Sequence, residues 1–235
     1  LLARGHVVSP KTVSVTVPTV GTLAANESIK VVSEISRRLT RVHVEEGALV
    51  KKGALLFSLD SSDLGADLRR LEVKKKLLAS QEARSKQLLS QNLLSQAEYD
   101  RVKSELDELR AEMGMRGVTL QKTRIRAPFA GKVGLRRVSA GAWVTPETVL
   151  TTLSDTSKLK VDFALPERYV ADVRVGHEFF FKVTGRPERF KGQVIAIEPE
   201  IDRATRSVSV RGLTENAEGE LASGAFANVE VPIGA

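Results

Sequence analysis

The sequence predicts a mainly β protein with an inserted α-helical hairpin: a small β-module of two half-sheets, a projecting arm between them, and a small β-barrel afterwards, in an elongated modular arrangement. Three observations carry this. A glycine-centred β pattern occurs twice, as Val42-x-Val44-Glu45-Glu46-Gly47-x-x-Val50 followed by Leu55, Leu56 and Leu59, and as Val138-x-x-Gly141-x-x-Val144 followed by Val149, Leu150 and Leu153. The copies are split by a glycine-poor, charged segment whose leucines recur at helical spacing. From Lys158 onward, short alternating runs separated by turn residues replace both patterns.

Taken in order, residues 13–30 read as strands leading into the rest. Val13, Val15 and Val17, then Leu23, then Ile29 and Val31 alternate with polar residues, and Pro18 and Asn26-Glu27 divide them into short strands. Residues 31–60 form the first half-motif. Gly47 and Gly53 stand between β runs where tight turns need positive φ or a close backbone approach, and no phosphate-loop or dinucleotide pattern surrounds them.

Residues 61–122 are the hairpin. Leu64, Leu68, Leu71, Leu78 and Leu88 or Leu89 mark one apolar stripe, with Ser61 or Ser62 able to cap its start. The first helix breaks at Ser90-Gln91-Asn92, and Leu93 and Leu94 keep the turn apolar. Ser95-Gln96-Ala97-Glu98 is a capping box, and the second helix continues through Val102, Leu106, Leu109 and Met113 to about Leu120. At 1.5 Å per residue, helices of about 30 residues reach roughly 40–45 Å. The charges Arg69-Arg70 and Lys74-Lys75-Lys76 leave little apolar surface for a third layer, so each stripe is expected to bury itself in its mate.

Residues 123–156 form the second half-motif. Pro128 bars a helix, Gly131 permits a tight turn, and Trp143 either seals a sheet edge, packs in the core or rim, or faces a neighbour. Residues 157–235 form the barrel: Leu159 to Leu165, a short helical turn at Pro166 to Val170, and strands at Phe179 to Val183, Arg189 to Ile197, Ser207 to Leu213 and Ala225 to Ile233. The early strand around Val15 to Leu23 is a candidate to join it.

Composition narrows the function. With 36 Lys and Arg against 29 Asp and Glu the net charge is +7, but the signs are interspersed, which argues against nucleic acid and leaves a positive surface suited to anionic lipid or an acidic partner. No apolar run is long enough to span a membrane. The chain opens at Leu1 without a methionine, which leads us to expect a mature product or an excised piece, with an upstream signal, lipid anchor or membrane helix removed. There is no cysteine, and His6, His43 and His177 are scattered, so no metal spacing and no nucleophilic triad can be drawn; Met113 and Met115 are too few for a copper relay. Neither catalysis nor a cofactor is expected. The tight polar cluster Asp202-Arg203-Ala204-Thr205-Arg206 reads as an Asx-type turn closed by a salt bridge, or as an acid-recognition site.

The split repeat, the hairpin between its halves and the barrel after it together resemble the periplasmic adaptor subunits, or membrane fusion proteins, of Gram-negative tripartite efflux pumps. The matching stretches are Arg41 to Asp60, Ile125 to Gly134 with Gly141, and Asp202 to Val208 with Asn216 and Leu221 to Phe226. The resemblance implies that the two halves pair as a lipoyl (biotinyl-like) β-sandwich with turn glycines Gly47, Gly53, Gly131 and Gly141, and that Asp202, Thr205, Arg206 and Gly224 belong to the barrel's structural motif. Members that dock onto a TolC-type outer-membrane channel carry an arginine, a leucine four residues on and a serine seven beyond. Arg84, Leu88 and Ser95 stand at those intervals about the predicted turn.

The resemblance therefore implies a ring of copies, six in the family, joining an inner-membrane transporter of the proton-driven RND class to the outer-membrane channel. The protein would be periplasmic and held at the inner membrane by an N-terminal segment. Two departures stand out: only residues 1–12 are left for the family's membrane-proximal domain, which implies a trimmed piece or a truncated domain, and the hairpin is short for the family. An adaptor of an ABC-type exporter is the first alternative. A lipoyl or biotin carrier is the second, although the turn that displays a carrier's lysine is occupied by the hairpin, and Lys51 and Lys52 lie inside the first half.

Overall fold

A computed structural model describes residues 15–233; residues 1–12, expected from the sequence to be a remnant of a further region, lie outside the described residues. In chain order the elements are β1 Val15–Val32, β2 Arg37–Val42, β3 Leu49–Val50, β4 Leu55–Leu59, α1 Ser62–Ser90, α2 Gln96–Lys122, β5 Arg124–Arg126, β6 Gly131–Val133, β7 Trp143–Val144, β8 Val149–Pro166, a short 3-10 helix Glu167–Asp172, β9 Glu178–Val183, β10 Phe190–Ile197, β11 Ser207–Glu215 and β12 Phe226–Ile233. They form two compact units: one runs to Ser28 and resumes at Ser154, and the other is Ile29–Leu153.

The first unit is a closed barrel of six strands in the order β1-β12-β9-β10-β11-β8, with β8 returning to β1. Period-two patterning explains it. Along β11, Val208, Val210, Gly212 and Thr214 are buried while alternate residues are half-buried or exposed. Leu159, Val161, Phe163 and Leu165 do the same on β8. Phe179 sits at the centre, with ring centroids 5.1 Å from Phe163 and 6.1 Å from Phe181. Its ring lies over the backbones of Gly192 on β10 and Gly212 on β11, where an added Cβ would stand 2.3 and 2.1 Å from ring atoms. Those glycines are spaces for an aromatic ring.

Here the structure differs from the sequence-based expectation. Pro18 and Asn26-Glu27 do not divide short strands: β1 runs unbroken through all three. Leu23 donates its N–H to Ala225, and strand alternation turns Pro18 the other way, so its missing donor faces away from β12.

The second unit is a β-sandwich carrying the hairpin. One sheet has the order β5-β4-β2-β7, and β3 pairs with β6. The core is Val31, Leu39, Leu56, Phe57, Leu59, Ala127, Val133, Val144, Leu150 and Leu153, drawn from both half-motifs. The halves interlock through their turns: Gly47 donates to Val133 (2.9 Å), Gly53 to Ala127 (2.7 Å) and, reciprocally, Gly141 to Leu39 (2.7 Å). These three glycines have φ of 77°, 83° and 94°, a region that side chains avoid. Gly131 is different: it is a buried residue of β6 opposite Val50, not a turn residue, because the turn it was expected to make is taken by residues 128–130. Trp143 is 66% exposed, paired with Arg38 on the outer strand β7, so it lies at the sheet edge and contributes nothing to the core.

Within the hairpin, Leu71, Leu78, Leu106 and Leu109 form the buried seam, flanked by Ala79 and Met113. Neither Ser61 nor Ser62 caps α1 through its hydroxyl; Asp60 does so instead, its carboxylate accepting from the Ser62 N–H (3.0 Å) and hydroxyl (2.8 Å). A carboxylate is the stronger acceptor at a positive helix end, and these bonds hold Asp60 below the ordinary aspartate value.

Two measurements check the barrel. Gly212→Ala should destabilise it by about 1–3 kcal/mol in urea unfolding, because the buried Phe179 ring cannot move aside, and Phe179→Leu should recover part of that loss when combined with it. Buried Asn216 accepts from the Leu221 N–H and donates to the Leu221 and Thr156 carbonyls. Asn216→Ala should therefore cost on the order of 1–3 kcal/mol for each group left unpaired.

Candidate functional site

The hairpin's free end is built to hold one conformation. At the end of α1, Asn92 takes φ 56°, donating to Leu89 (2.9 Å), while Leu93 donates to Leu88 (2.9 Å). These are the two bonds of a Schellman motif, with asparagine in the left-handed position usually held by glycine. The Ser90 hydroxyl donates to the Gln87 carbonyl (2.7 Å).

Ser95 starts α2 with the reciprocal capping box: its hydroxyl accepts from the Glu98 N–H (3.2 Å), and the Glu98 carboxylate accepts from the Ser95 N–H (3.1 Å) and hydroxyl (2.7 Å). The Ser95 hydroxyl and N–H together hold the Glu98 carboxyl below its ordinary value. Behind the turn, the Tyr99 hydroxyl crosses from α2 to donate to Glu82 on α1 (2.7 Å). Donating its proton to a carboxylate holds the phenol above its ordinary value.

On this scaffold Arg84, Leu88 and Ser95 are all exposed, the first two on the last turns of α1 and Ser95 at the first residue past the turn. Leu88 is 41% exposed and Leu93, at the apex, 70%. The sequence showed Leu93 only as an apolar turn residue. Its exposure follows from the position it takes, just after a left-handed asparagine, where the chain has left α1 and not yet entered α2. The Tyr99 to Glu82 bond was missed because the two residues are brought together only by the helices' mutual register.

The barrel residues lie in a different arrangement. The Asp202 carboxylate accepts from the N–H groups of Ala204 (2.8 Å) and Thr205 (3.4 Å), Thr205 shares a hydroxyl contact with Ser207 (2.8 Å), and Arg206 takes φ 49°. This is an Asx-type turn, but it is closed by the backbone bridge from Asp202 to Ser207 and not by the expected salt bridge. A carboxylate already accepting two backbone donors gains little from a solvated arginine. Arg203 and Arg206 border an open depression of about 550 Å3 together with Glu167 and Glu200, so its charge is mixed. Gly224 has φ 91° and donates to Leu23, making the turn into β12. Among the described residues no three His, Asp or Glu side chains converge as a metal site would require, and no helix is long and apolar enough to cross a membrane.

Comparison with known proteins agrees with this anatomy. A CzcB-like barrel-sandwich hybrid domain family matches residues 27–155, more than half of the chain, and a CusB-like β-barrel domain family matches residues 159–232. An uncharacterized protein of Haemophilus influenzae is 29% identical over 228 residues, covering 96% of this chain and 60% of its own. The multidrug resistance protein MdtA of Klebsiella pneumoniae is 28% identical over 234 residues, covering 90% of this chain and 57% of its own. The chain thus spans about three-fifths of the length of these relatives.

Among solved structures, a MacA-MexA chimera containing the Pseudomonas aeruginosa MexA α-hairpin superposes with a TM-score of 0.84 at 21% identity, over 94% of this chain and 82% of the chimera. MacA of Actinobacillus actinomycetemcomitans gives 0.70 at 20% identity, over 94% and 79%. Sandwich, inserted hairpin and barrel, each matched in its place along the sequence, make this chain a member of the membrane fusion proteins, the periplasmic adaptor family of efflux pumps.

Proposed function

We propose that this protein is the periplasmic adaptor of a drug or small-molecule efflux pump, in which a ring of six copies joins an inner-membrane transporter of the RND type to a TolC-like outer-membrane channel. The whole protein would be held at the inner membrane by a segment outside this chain. The observation that carries the reading is the hairpin tip: a stiff, fully capped turn that presents Arg84, Leu88 and Ser95 to solvent at the far end of a two-helix arm. The domain scheme fits that task, with residues 31–60 and 123–156 as the lipoyl-type body, 61–122 as the arm and 157–235 as the barrel. Family and fold are those of adaptor proteins rather than enzymes.

In this reading, Arg84 donates to carbonyls or carboxylates of the channel's periplasmic end, Leu88 packs apolarly, and the Ser95 hydroxyl adds a hydrogen bond. The RND assignment draws support from the barrel family, named for RND systems, and a drug-like cargo from the name MdtA carries as a multidrug resistance protein.

The chain has no cysteine, so single cysteines can be introduced without background. Cysteines at Arg84, Leu88 and Ser95 should each crosslink in cells to the tip of the cognate channel, whereas one at mid-hairpin Lys75 should not. Crosslinks from Lys75 alone, or from none of the four at normal protein levels, would sink the docking assignment.

The cap and the contact can be separated. Ser95→Ala should weaken the start of α2 by about 1 kcal/mol and speed hydrogen exchange at the Glu98 amide, whereas Ser95→Asn, also a strong cap, should preserve protection. A docking loss shared by both variants would assign the hydroxyl to the channel; recovery in Ser95→Asn would assign it to the cap alone. The box also sets a pH window. Because the folded Glu98 carboxyl lies below its ordinary value, its contribution is complete above the ordinary glutamate range and disappears as pH falls through the folded value. Protection of the Ser95 amide should disappear over the same acid range.

A further inference from the structure

At the base of the arm Leu64, in the first turn of α1, is buried, but the apolar cores of arm and sandwich do not merge. The hairpin's buried seam of Leu71, Leu78, Leu106 and Leu109 and the sandwich core around Leu39, Phe57 and Val144 are separate clusters. On the α2 side, a groove of about 540 Å3 opens between the last turns of that helix, at Val118 and Lys122, and the end of β1 at Ile29 to Val32. Side-chain packing therefore does not fill the angle between arm and body there.

Two ion pairs span this joint, one from Glu34 in the turn between β1 and β2 and one from Arg37, the first residue of β2. Glu34 reaches Lys122 in the last turn of α2 at 3.1 Å. Arg37 holds Asp63 in the first turn of α1 with a two-pronged contact, Nη1 to Oδ1 at 2.6 Å and Nη2 to Oδ2 at 3.0 Å, and its Nη1 also donates to the Asp60 carbonyl (3.2 Å).

The turn is pinned from within: buried Ser33 donates its hydroxyl to the Ile35 carbonyl (2.5 Å) and accepts the Ile35 N–H (3.1 Å). Each helix end receives a charge its dipole favours, acidic at the start of α1 and basic at the end of α2. Asp63 and Glu34 stand largely in solvent, and pairs with such a partner contribute little to global stability. Placed one on each helix, on either side of a short pinned turn, the two pairs instead oppose tilting of the arm.

We propose that Glu34 and Arg37 are positioning residues that form an ionic bracket fixing the direction of the helical arm. Without them the arm pivots about its two chain connections, at Asp60–Ser61 and Thr123, while sandwich and hairpin each stay folded. The bracket matters to function through the reading of the tip as a docking end, but it is tested without the channel.

Spin labels on cysteines replacing Gln91 at the tip and Lys52 in the sandwich report the arm's direction as a distance distribution by pulsed electron resonance. The unsubstituted background should give a single narrow peak. Glu34→Gln with Arg37→Gln should lose that peak to a broad distribution, with unchanged far-UV circular dichroism, and the charge exchange Glu34→Lys with Lys122→Glu should keep it narrow where Glu34→Gln with Lys122→Gln does not. A second measurement needs no bracket variant: raising sodium chloride to about 1 M shortens the screening length to about 3 Å and should broaden the same distribution.

A peak that stays narrow in the neutralised variant or in high salt overturns the bracket. Broadening together with failed crosslinking from Leu88 in the unsubstituted protein would leave the bracket standing and the docking assignment fallen. A persistently narrow peak together with successful crosslinking would leave docking standing and the bracket fallen.

Discussion

Everything in the sandwich depends on residues that are far apart in sequence meeting across the hairpin. Neither half-motif has a core of its own: Leu39, Phe57 and Leu59 come from one side, and Val133, Val144 and Leu150 from the other. Gly47 donates to Val133 and Gly141 to Leu39, so each half completes the other's turn. Closing so long a loop costs conformational entropy before any of these contacts can form. The hairpin removes much of that cost. Its helices form by local contacts and zip along the Leu71, Leu78, Leu106 and Leu109 seam, which delivers the two ends together, where Leu59 donates to Thr123 at 2.8 Å. Once its helices have paired, the arm therefore shortens the effective loop between the two halves of the β-module.

The barrel solves a different problem, that of closing six strands around a small volume. Phe163, Phe179 and Phe181 fill it, and Gly192 and Gly212 supply the space that a central ring needs. Deleting side chains from two neighbouring strands makes room for one large one, a trade between adjacent positions that keeps the packing dense.

Period-two runs, the glycine repeat and the helical leucine stripe made the sandwich, the hairpin and the six-stranded barrel legible from the sequence, because each is a local pattern with a local cause. The capping box at Ser95 was legible for the same reason. What was not legible depends on partners distant along the chain. Pro18 looked like a strand break because nothing nearby in sequence says that its missing donor points away from β12. Gly131 looked like a turn because nothing nearby in sequence announces Val50 opposite it. Trp143 could be read as sheet edge, as core or rim, or as facing a neighbour, because the sequence does not say that β7 is an outer strand; the structure gives the edge. At the tip, the spacing of Arg84, Leu88 and Ser95 could be read directly, whereas the Tyr99 to Glu82 bond and the exposure of Leu93 required the helices' register and the left-handed Asn92.

The internally bonded backbone of that tip has one more consequence. Asn92, Leu93 and Glu98 already have their amide bonds satisfied within the turn, and Ser95 has its amide on Glu98. The fold of the turn therefore asks nothing of Arg84, Leu88 or the Leu93 side chain. These positions are free to change identity over evolutionary time without unmaking the loop that displays them. In the docking reading proposed above, such a tip is an exchangeable address label, and its specificity can be rewritten by a few substitutions while the fold of the turn stays as it is.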